Sequence, residues 1–128
     1  MTCRVFLSVF DVHVQRAPCS GTADRVRYQP GSFKAAMADE ARFNERSIVR
    51  IVPEGGREPV VVEQIAGLIA RRIECRLKEG DRVRAGERYG IIYFGSQAAV
   101  HLPRGCRPVV RVGDRVEGGV TPVGEWTT

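Results

Sequence analysis

The first long hydrophobic segment of the chain, residues 3–14, has the pattern of a buried β-strand. It reads CRVFLSVFDVHV, is rich in Val and Phe, and contains neither Gly nor Pro, which is typical of a strand. Apolar residues occupy both alternating sets of positions, and this predicts burial on both faces. Asp11 and His13 continue the set that begins with Val5, and alternate residues of a strand share a face. Two ionisable groups are therefore expected on an otherwise apolar face.

Most of the remaining chain consists of short strand-like segments between Gly and Pro residues. This arrangement is typical of an all-β sandwich or barrel. One segment differs, because residues 33–46 (FKAAMADEARFNER) have no strand pattern and predict a short helix or a lid. The predicted strands cover residues 23–28, 47–52, 59–65, 68–77, 89–94, 98–102 and 109–112, with a turn at Gly55-Gly56.

A four-residue repeat, Gly-Asp-Arg-Val, occurs at residues 80–83 and 113–116, and another Gly follows each copy within three residues. The repeat predicts two related turns and a fold with two quasi-equivalent halves. Its pattern is similar to the turns of biotinyl and lipoyl carrier domains, so we expect a mainly β fold, a flattened barrel-sandwich hybrid. Those carriers attach their cofactor to a lysine at a hairpin tip. Lys34 and Lys78 have different neighbours from that lysine, which disfavours a cofactor-carrying function.

Length and charge narrow the class of protein further. The 128 residues include 20 Lys and Arg against 15 Asp and Glu, a net charge of +5. This length predicts a single domain, residues 1–128, with one core. No apolar run approaches the ~20 residues of a membrane span, and residues 1–10 lack the pattern of a secretory signal, so we expect an intracellular chain. Its scattered arginines suit the phosphates of lipids or nucleic acids, or else form ordinary surface ion pairs.

Composition disfavours two kinds of site. The four cysteines include no Cys-x-x-Cys pair, and the chain has two histidines, so neither a zinc or other metal site nor a disulfide framework is predicted. The aromatic residues are spread along the chain without forming a stacking platform. A nucleic-acid-binding barrel is therefore the weakest of the alternatives.

The pair Gly95-Ser96 interrupts the strand-like run at residues 90–102 (GIIYFGSQAAVHL). By itself such a pair indicates a β-bulge. Together with six other segments in the same order, however, it resembles the phosphatidylserine decarboxylase proenzyme family, especially its short form. The matching segments cover almost the whole chain: FLSVFDVHVQRAP at 6–18, SGT at 20–22, NER at 44–46, QIAGLIARRI at 64–73, KEGDRV at 78–83, GER at 86–88 and FGS at 94–96.

The resemblance implies a pyruvoyl-dependent carboxy-lyase that converts phosphatidylserine to phosphatidylethanolamine and CO₂. In this family the serine of the Gly-Ser pair attacks the preceding carbonyl, and the chain then splits and leaves a pyruvoyl group. On this pattern Gly95 ends a β chain of residues 1–95, and Ser96 becomes the pyruvoyl start of an α chain of residues 96–128. The pyruvoyl group, the one cofactor expected, forms a Schiff base with the serine head group and accepts electrons as CO₂ departs.

Further roles are implied by the same resemblance. His13 is the expected acid that protonates the substrate carbon, and Asp11 orients or charges it. Taken in isolation, His13 is instead interpreted as a hydrogen-bonded core histidine. His101, near the end of its strand, is predicted to be structural or at the surface. Three arginines are assigned either to the lipid phosphate or to surface salt bridges: Arg16, Arg71 and Arg72.

The implied substrate places the protein at the cytoplasmic face of the cell membrane, in peripheral contact through its positive charge. The cleaved α and β chains form a heterodimer, and further oligomerisation is left open. The main alternative comes from another class of protein. It is a non-catalytic relative with the same fold, uncut at Gly95-Ser96, that serves as a binding or interaction module.

One departure from the family pattern concerns the beginning of the sequence. Family members carry a further amino-terminal part, with a hydrophobic anchor and a Pro-Ala-Asp-Gly-like segment whose aspartate assists self-cleavage. This sequence begins just before the histidine segment. We therefore expect either that Asp11 substitutes for that aspartate or that the chain is part of a longer protein.

Overall fold

The computed structural model describes residues 1–7, 14–30, 45–66, 73–92, 96–116 and 121–127. These residues are mainly β, as predicted, and contain no helix. In particular, none of them forms a helix long and apolar enough to cross a membrane. The strands are β1 Thr2–Leu7, β2 Val14–Arg16, β3 Gly21–Gln29, β4 Arg46–Pro53, β5 Val60–Ala66, β6 Ile73–Cys75, β7 Arg82–Val83, β8 Arg88–Ile92, β9 Ser96–His101, β10 Cys106–Pro108 and β11 Gly124–Trp126.

The strands form two main sheets and a hairpin. The large sheet has six strands in the order β1-β9-β5-β4-β3-β7, and the small sheet has the order β2-β8-β6, with β10 paired to β11. All pairings are antiparallel. Within the described ranges the large sheet is open, with β1 and β7 at its edges, so the closed flattened barrel that we predicted is not observed. β7 pairs with β3 at Gly21 and Thr22, and the turn before β7 continues this contact, since Ala23 donates its N–H to the Asp81 carbonyl oxygen and accepts from the Gly80 N–H.

The core lies between the two sheets. Along β4, buried residues alternate with partly exposed ones, as expected for a strand with one face on a core. The buried set combines large-sheet positions with residues on or next to the small sheet and the turns: Ala23, Val49, Ile51, Val60, Val62, Ala17, Leu77, Val83 and Tyr89. Trp126 of β11 packs against the same cluster. Burying such side chains contributes ~1.5–3 kcal/mol each, so this layer is the main source of stability.

The repeated Gly-Asp segments form the same turn, as predicted. In both copies Gly has a φ of 95°, and the following Asp donates its N–H to the carbonyl oxygen three residues earlier, Asp81 to Lys78 and Asp114 to Arg111, at 3.0 Å in each case. In both, the Asp carboxylate accepts the N–H of that earlier residue at 2.9 Å. The repeat stops there, because β7 follows the first turn whereas no strand includes residues 115–116.

Two predicted segments are corrected by the structure. Residues 3–14 were predicted as one strand, but Thr2–Leu7 belongs to the large sheet and Val14–Arg16 to the small one. The separately predicted strands at 89–94 and 98–102 correspond to β8 and β9. Residues 109–112 form no strand, and Val112 is fully exposed because it lies inside the second repeated turn. Of the predicted helix or lid at 33–46, residues 33–44 lie outside the described residues, and Arg46 begins β4.

Candidate functional site

The chain passes from one sheet to the other three times at one end of the large sheet. Leu7, Ser96 and Ala66 are neighbours in register on β1, β9 and β5. Each of these residues is connected to an end of a small-sheet strand by a short stretch of chain, which we call a passage. Leu7 leads to Val14, Ala66 leads to Ile73, and Ile92 leads to Ser96. Ile73 pairs with Ile92, and Val14 pairs with Ile91. The three passages are therefore anchored at neighbouring strand ends in both sheets.

Most of the predicted site residues belong to these three passages. Ser96 is the first residue of β9, an interior strand that pairs with β1 on one side and β5 on the other. The remaining predicted residues of this group lie outside the described residues: Asp11 and His13 in the passage 8–13, Arg71 and Arg72 in 67–72, and Gly95 in 93–95. Five predicted residues therefore belong to three chain segments. These segments begin or end at Ser96 or at its register neighbours Leu7 and Ala66.

Arg16 is the exception among the predicted residues. It ends β2, and its Nη1 donates to the carbonyl oxygen of Gly86 at 2.9 Å. The adjoining Ala17 exchanges backbone hydrogen bonds with the same turn, donating to Glu87 and accepting from Gly86. The guanidinium of Arg16 therefore fastens β2 to the turn at residues 84–87, at the end of β2 away from Val14.

Unpartnered polar atoms mark buried groups that the sequence interpretation missed and that are candidates for a functional role. In the described part of the chain, three buried side-chain atoms have no hydrogen-bond partner: Gln15 Nε2, Gln64 Oε1 and Glu45 Oε1. Buried polar atoms are nearly always paired in folded proteins, so each such atom needs an explanation. All three belong to residues near the Ser96 end of the sheets. Their concentration there is typical of a site prepared for chemistry rather than for stability.

Gln15 and Gln64 join the two sheets just inside this end. Gln64, on β5, is fully buried, and Gln15, on β2, is 6% exposed. Gln64 Nε2 donates to Gln15 Oε1 at 2.9 Å and to the carbonyl oxygen of Glu74 at 3.0 Å. Gly90 allows this approach, since a Cβ at that position would lie 2.4 Å from both Gln64 Nε2 and the Glu74 oxygen. The only available sequence signal was a Gln at an inward-facing strand position, between Val62 and Ala66.

Glu45 lies beside Ala66 and is partly buried, with its Oε1 atom inaccessible to solvent. The N–H of Ala66 donates to the Glu45 carbonyl oxygen at 2.9 Å, and Ala66 is the register neighbour of Ser96. The Tyr28 hydroxyl donates to Glu45 Oε2. Burial raises the pKa of the Glu45 carboxyl, which makes its carboxylate a better proton acceptor.

A separate polar chain crosses the large sheet at His101. Its Nε2 lies 2.7 Å from Glu63 Oε1, and its Nδ1 lies 2.7 Å from Thr2 Oγ1. Because the carboxylate can only accept, Nε2 carries the proton and donates to Glu63. Arg46 Nη1 donates to the other Glu63 oxygen at 3.2 Å. The hydrogen bond from His101, followed by the charges of His101 and Arg46, lowers the pKa of Glu63. His101 of β9 therefore contacts Thr2 of β1 and Glu63 of β5, its two neighbouring strands.

The lowered pKa of Glu63 predicts a pH-dependent loss of stability. The folded state holds the Glu63 pKa below its ordinary value of 4.5, so the carboxylate stabilises the fold above that pH and ceases to do so as the pH falls below it. We expect wild type to exceed Glu63→Gln in melting temperature at pH 7, and the difference to shrink below pH 4.5. Thermal unfolding across this range, with the exposed Glu58→Gln as control, measures it. A difference that stayed constant with pH would contradict the linkage.

Burial keeps three of the described thiols in their protonated form. Burial raises the pKa of Cys19 to about 11, and it also raises the pKa of Cys3 and Cys106, so these thiols are protonated at neutral pH. Within the described ranges, no three His, Cys, Asp or Glu residues are grouped as metal ligands. An open groove of about 620 Å³ lies at the β4–β5 turn, where Arg57 stacks 4.7 Å from the Trp126 ring, at the other end of β5 from Ala66.

Comparisons with known proteins identify the family. The family model described as phosphatidylserine decarboxylase matches residues 1–124. The chain is 52% identical over 124 residues, 96% of its length, to a phosphatidylserine decarboxylase proenzyme of Mycobacterium leprae. It is 52% identical over 117 residues, 91% of its length, to the proenzyme of Gluconacetobacter diazotrophicus, and 48% identical over 125 residues, 97% of its length, to that of Cereibacter sphaeroides. No solved structure matches the chain.

The matched regions make up 51%, 52% and 53% of these three relatives, so the chain spans about half the length of the curated relatives it matches. The matches nevertheless extend over almost all of this chain, including the passages that contain the histidine, the arginine pair and the Gly-Ser pair. The chain belongs to the phosphatidylserine decarboxylase family.

Proposed function

We propose that this chain forms a pyruvoyl-dependent phosphatidylserine decarboxylase, which matures by self-cleavage between Gly95 and Ser96 and releases phosphatidylethanolamine and CO₂. The observation that carries the proposal is the position of Ser96 at the end of an interior strand, next to the passages that contain His13 and the arginine pair. Family membership supplies the reaction class. The unpartnered atoms of Gln15, Gln64 and Glu45 supply buried polar groups at the same end of the sheets.

The residues around Ser96 fit a pyruvoyl group. Ser96 begins β9, so a break before it leaves the pairing of β9 with β1 and β5 complete. Its register neighbour on β5 is the small, fully buried Ala66, and unpartnered amide atoms lie one step further along the strands. When it is present, a pyruvoyl carbonyl supplies the electrophile that binds the amine of the head group and takes up the electron pair released with CO₂.

Self-cleavage needs the chain's own groups and one water molecule. The Ser96 hydroxyl oxygen attacks the Gly95 carbonyl carbon and gives its proton to a base, and the carbonyl oxygen becomes an oxyanion. Collapse of this centre breaks the C–N bond, protonates the Ser96 nitrogen and leaves an ester between the two residues. Loss of the Ser96 α-proton then expels the Gly95 carboxylate and leaves dehydroalanine at position 96. One water molecule hydrolyses the imine form of dehydroalanine, which releases the nitrogen as ammonia and leaves a pyruvoyl group. A Gly before the serine suits the attack, since it lacks a Cβ that would crowd the strained backbone.

His13 is assigned the proton that the substrate carbon needs after CO₂ leaves. It immediately precedes β2, whose first residue, Val14, pairs with the small sheet, and an imidazole exchanges protons readily near neutral pH. Asp11, two residues earlier, orients the ring or stabilises its charged form. A cleaved His13→Ala protein that turned over at the wild-type rate would contradict this assignment.

The arginine pair Arg71-Arg72 is assigned to the phosphate of the lipid head group. The pair lies in the passage that begins after Ala66, and the guanidinium fork binds phosphate oxygens in pairs. Arg16 is a weaker candidate than the pair, because its guanidinium is bonded to the Gly86 carbonyl oxygen. With a net charge of +5, the chain is suited to peripheral contact with the anionic cytoplasmic face of a membrane.

The two products of cleavage remain associated in this fold. The α chain, residues 96–128, contributes β9, and β9 pairs with β1 and β5 of the β chain along six positions on each side. It also contributes Trp126, which packs against the main core cluster. We therefore propose an αβ heterodimer that keeps the architecture of the uncut chain.

The test is the intact mass of the purified, denatured 128-residue chain, followed by an assay on vesicles that contain phosphatidylserine. We expect two fragments that separate between residues 95 and 96, the smaller one lighter by one molecule of ammonia than its sequence requires. We also expect phosphatidylethanolamine and CO₂ to form. An uncut chain that releases no CO₂ would overturn the proposal and favour the non-catalytic binding module instead.

A further inference from the structure

The repeated Gly-Asp turn carries different residues at the same positions in its two copies. Its first two positions are occupied by Lys78 and Glu79 in one copy and by Arg111 and Val112 in the other. Both copies have the same hydrogen bonds and the same glycine φ. The turn therefore accepts a charged residue at its second position and does not require a valine there. Because Val112 is also fully exposed, neither turn geometry nor packing explains its apolar side chain.

The two turns also differ in how they are held. The first turn is fastened to β3, because Gly80 donates its N–H to the Ala23 carbonyl oxygen at 2.7 Å and Ala23 donates to the Asp81 carbonyl oxygen at 2.8 Å. In the described part of the chain, the second turn, residues 111–114, forms hydrogen bonds only within itself. Residues 111–115 are all exposed. The second turn is therefore closed by its own bonds and projects into solvent.

Residues 107–115, which we call the hairpin tip, present two exposed valines. Four large hydrophobic side chains are exposed in the described ranges, and two of them are Val109, at 42%, and Val112. Val109 is held across the hairpin, since its N–H donates to the Val123 carbonyl oxygen at 3.0 Å. A single exposed apolar residue is ordinary. Two valines within four residues form a small apolar surface, and its removal from water is favourable.

The hairpin tip is also basic. It contains three arginines and one aspartate: Arg107, Arg111, Arg115 and Asp114. Arg107 is paired with Glu125, and the Asp114 carboxylate accepts the backbone N–H of Arg111. Among the described residues, the guanidinium groups of Arg111 and Arg115 have no hydrogen-bond or ion-pair partner. Two arginines on either side of Val112 are therefore available to bind anions.

Exposed aliphatic side chains between arginines fit the surface of an anionic membrane. The valines enter the boundary between head groups and acyl chains, and the guanidinium groups stay with the lipid phosphates. A second copy of the chain fits less well, because two basic tips repel each other. A nucleic acid offers phosphates but leaves the valines in water.

We propose that the hairpin tip docks the protein on anionic lipid bilayers, with Val109 and Val112 in the interfacial layer and Arg111 and Arg115 on lipid phosphates. The tip belongs to the α chain of the proposed enzyme. The choice of a membrane over an acidic protein as partner rests on the proposed function, whose substrate is a membrane lipid. Docking itself requires neither chain cleavage nor turnover.

Co-sedimentation of the full 128-residue chain with vesicles tests the proposal. The vesicles contain phosphatidylglycerol and phosphatidylcholine in equal parts. They contain no phosphatidylserine, so binding is measured apart from the candidate site at Ser96. We expect the wild type to bind them at least about tenfold more tightly than pure phosphatidylcholine vesicles. Added salt should reduce this preference, because it screens the arginines from the lipid charges.

Two variants separate the apolar from the charged contribution. Val109→Ser combined with Val112→Ser keeps the net charge and should weaken binding to the mixed vesicles about tenfold. The melting temperature should stay close to that of wild type, since both side chains are exposed. Arg111→Gln removes one charge from the tip and should weaken binding about fivefold. Lys78→Gln is its matched control, because Lys78 is exposed and occupies the same position of the first turn. It should bind nearly as wild type does.

The outcomes distinguish this inference from the proposed function. A wild type that does not bind the mixed vesicles, or tip variants that bind them as wild type does, overturn docking through the tip alone. Equal losses in Lys78→Gln and Arg111→Gln also overturn it, because net charge would then account for binding. Self-association that the valine variant abolishes, without vesicle binding, overturns it in favour of a second copy. A chain that binds through the tip but neither splits nor releases CO₂ overturns the proposed function and leaves the docking surface in place.

Discussion

Ser96→Ala is expected to leave a single chain of 14.2 kDa that produces no CO₂ from phosphatidylserine vesicles. Alanine has no hydroxyl to attack the Gly95 carbonyl, so neither the break nor the pyruvoyl group can form. Cleavage and decarboxylation should therefore be lost together, and not merely slowed. Intact-mass measurement and the vesicle assay, made on the same preparation, show both losses.

Two variants make this result specific. Ser47→Ala removes a buried serine of the large sheet, on β4 at 4% exposure, and should cleave as wild type does. Ser96→Cys keeps a nucleophile and should split more slowly. The pairing of β9 with β1 and β5 uses backbone groups, so Ser96→Ala should remain folded. Fragments at residue 95 in Ser96→Ala would show that another residue makes the cut, and CO₂ release by the uncut chain would exclude a pyruvoyl mechanism.

Local periodicity predicted which segments form strands better than it predicted the sheet to which each strand belongs. The run at residues 3–14 has apolar residues in both alternating sets, and the structure shows why, since its two ends belong to different sheets around one core. A run without alternation gives no periodic signal at the point where the chain changes sheet. Turns were easier, because the Gly at positive φ and the Asp that closes the turn are local requirements.

Motifs predicted the candidate reactive residues, whereas the buried glutamine pair became visible only in three dimensions. Ser96, His13 and Asp11 belong to contiguous segments with a chemical signature. Gln15 and Gln64 are 49 residues apart in sequence and become partners only when β2 packs against β5. Their unusual property, one donor and one acceptor without partners, is a statement about neighbours. A single sequence gives no access to it, because a glutamine in a strand looks the same whether its amide is satisfied or not.

Gly21→Ala should cost about 3 kcal/mol or more of unfolding free energy, in the upper range for overpacking a rigid site. Gly21 opens β3, and its neighbours on β4 and β7 are Pro53 and Val83. A Cβ there would lie 2.2 Å from the carbonyl oxygen of Val52, 2.8 Å from its carbonyl carbon and 3.0 Å from Pro53 Cα. All three are backbone atoms, so the clash cannot be relieved by rotating a side chain. The two strands must separate or β3 must shift.

The cost is best measured by urea denaturation in the Ser96→Ala background, where a single chain unfolds and the transition does not depend on association of two fragments. Gly55→Ala is the control. Gly55 has a φ of +84° but nothing within 4 Å of the added Cβ, so it should cost only the ~1 kcal/mol of an alanine forced to positive φ. The loss of unfolding free energy in Gly21→Ala, compared with the loss in Gly55→Ala, separates the cost of the steric clash from the cost of an unfavourable backbone conformation. Equal losses would mean that β3 and β4 are not packed as closely as this fold requires, and the alignment of Ser96 with its neighbours, which depends on the same sheet, would lose its support.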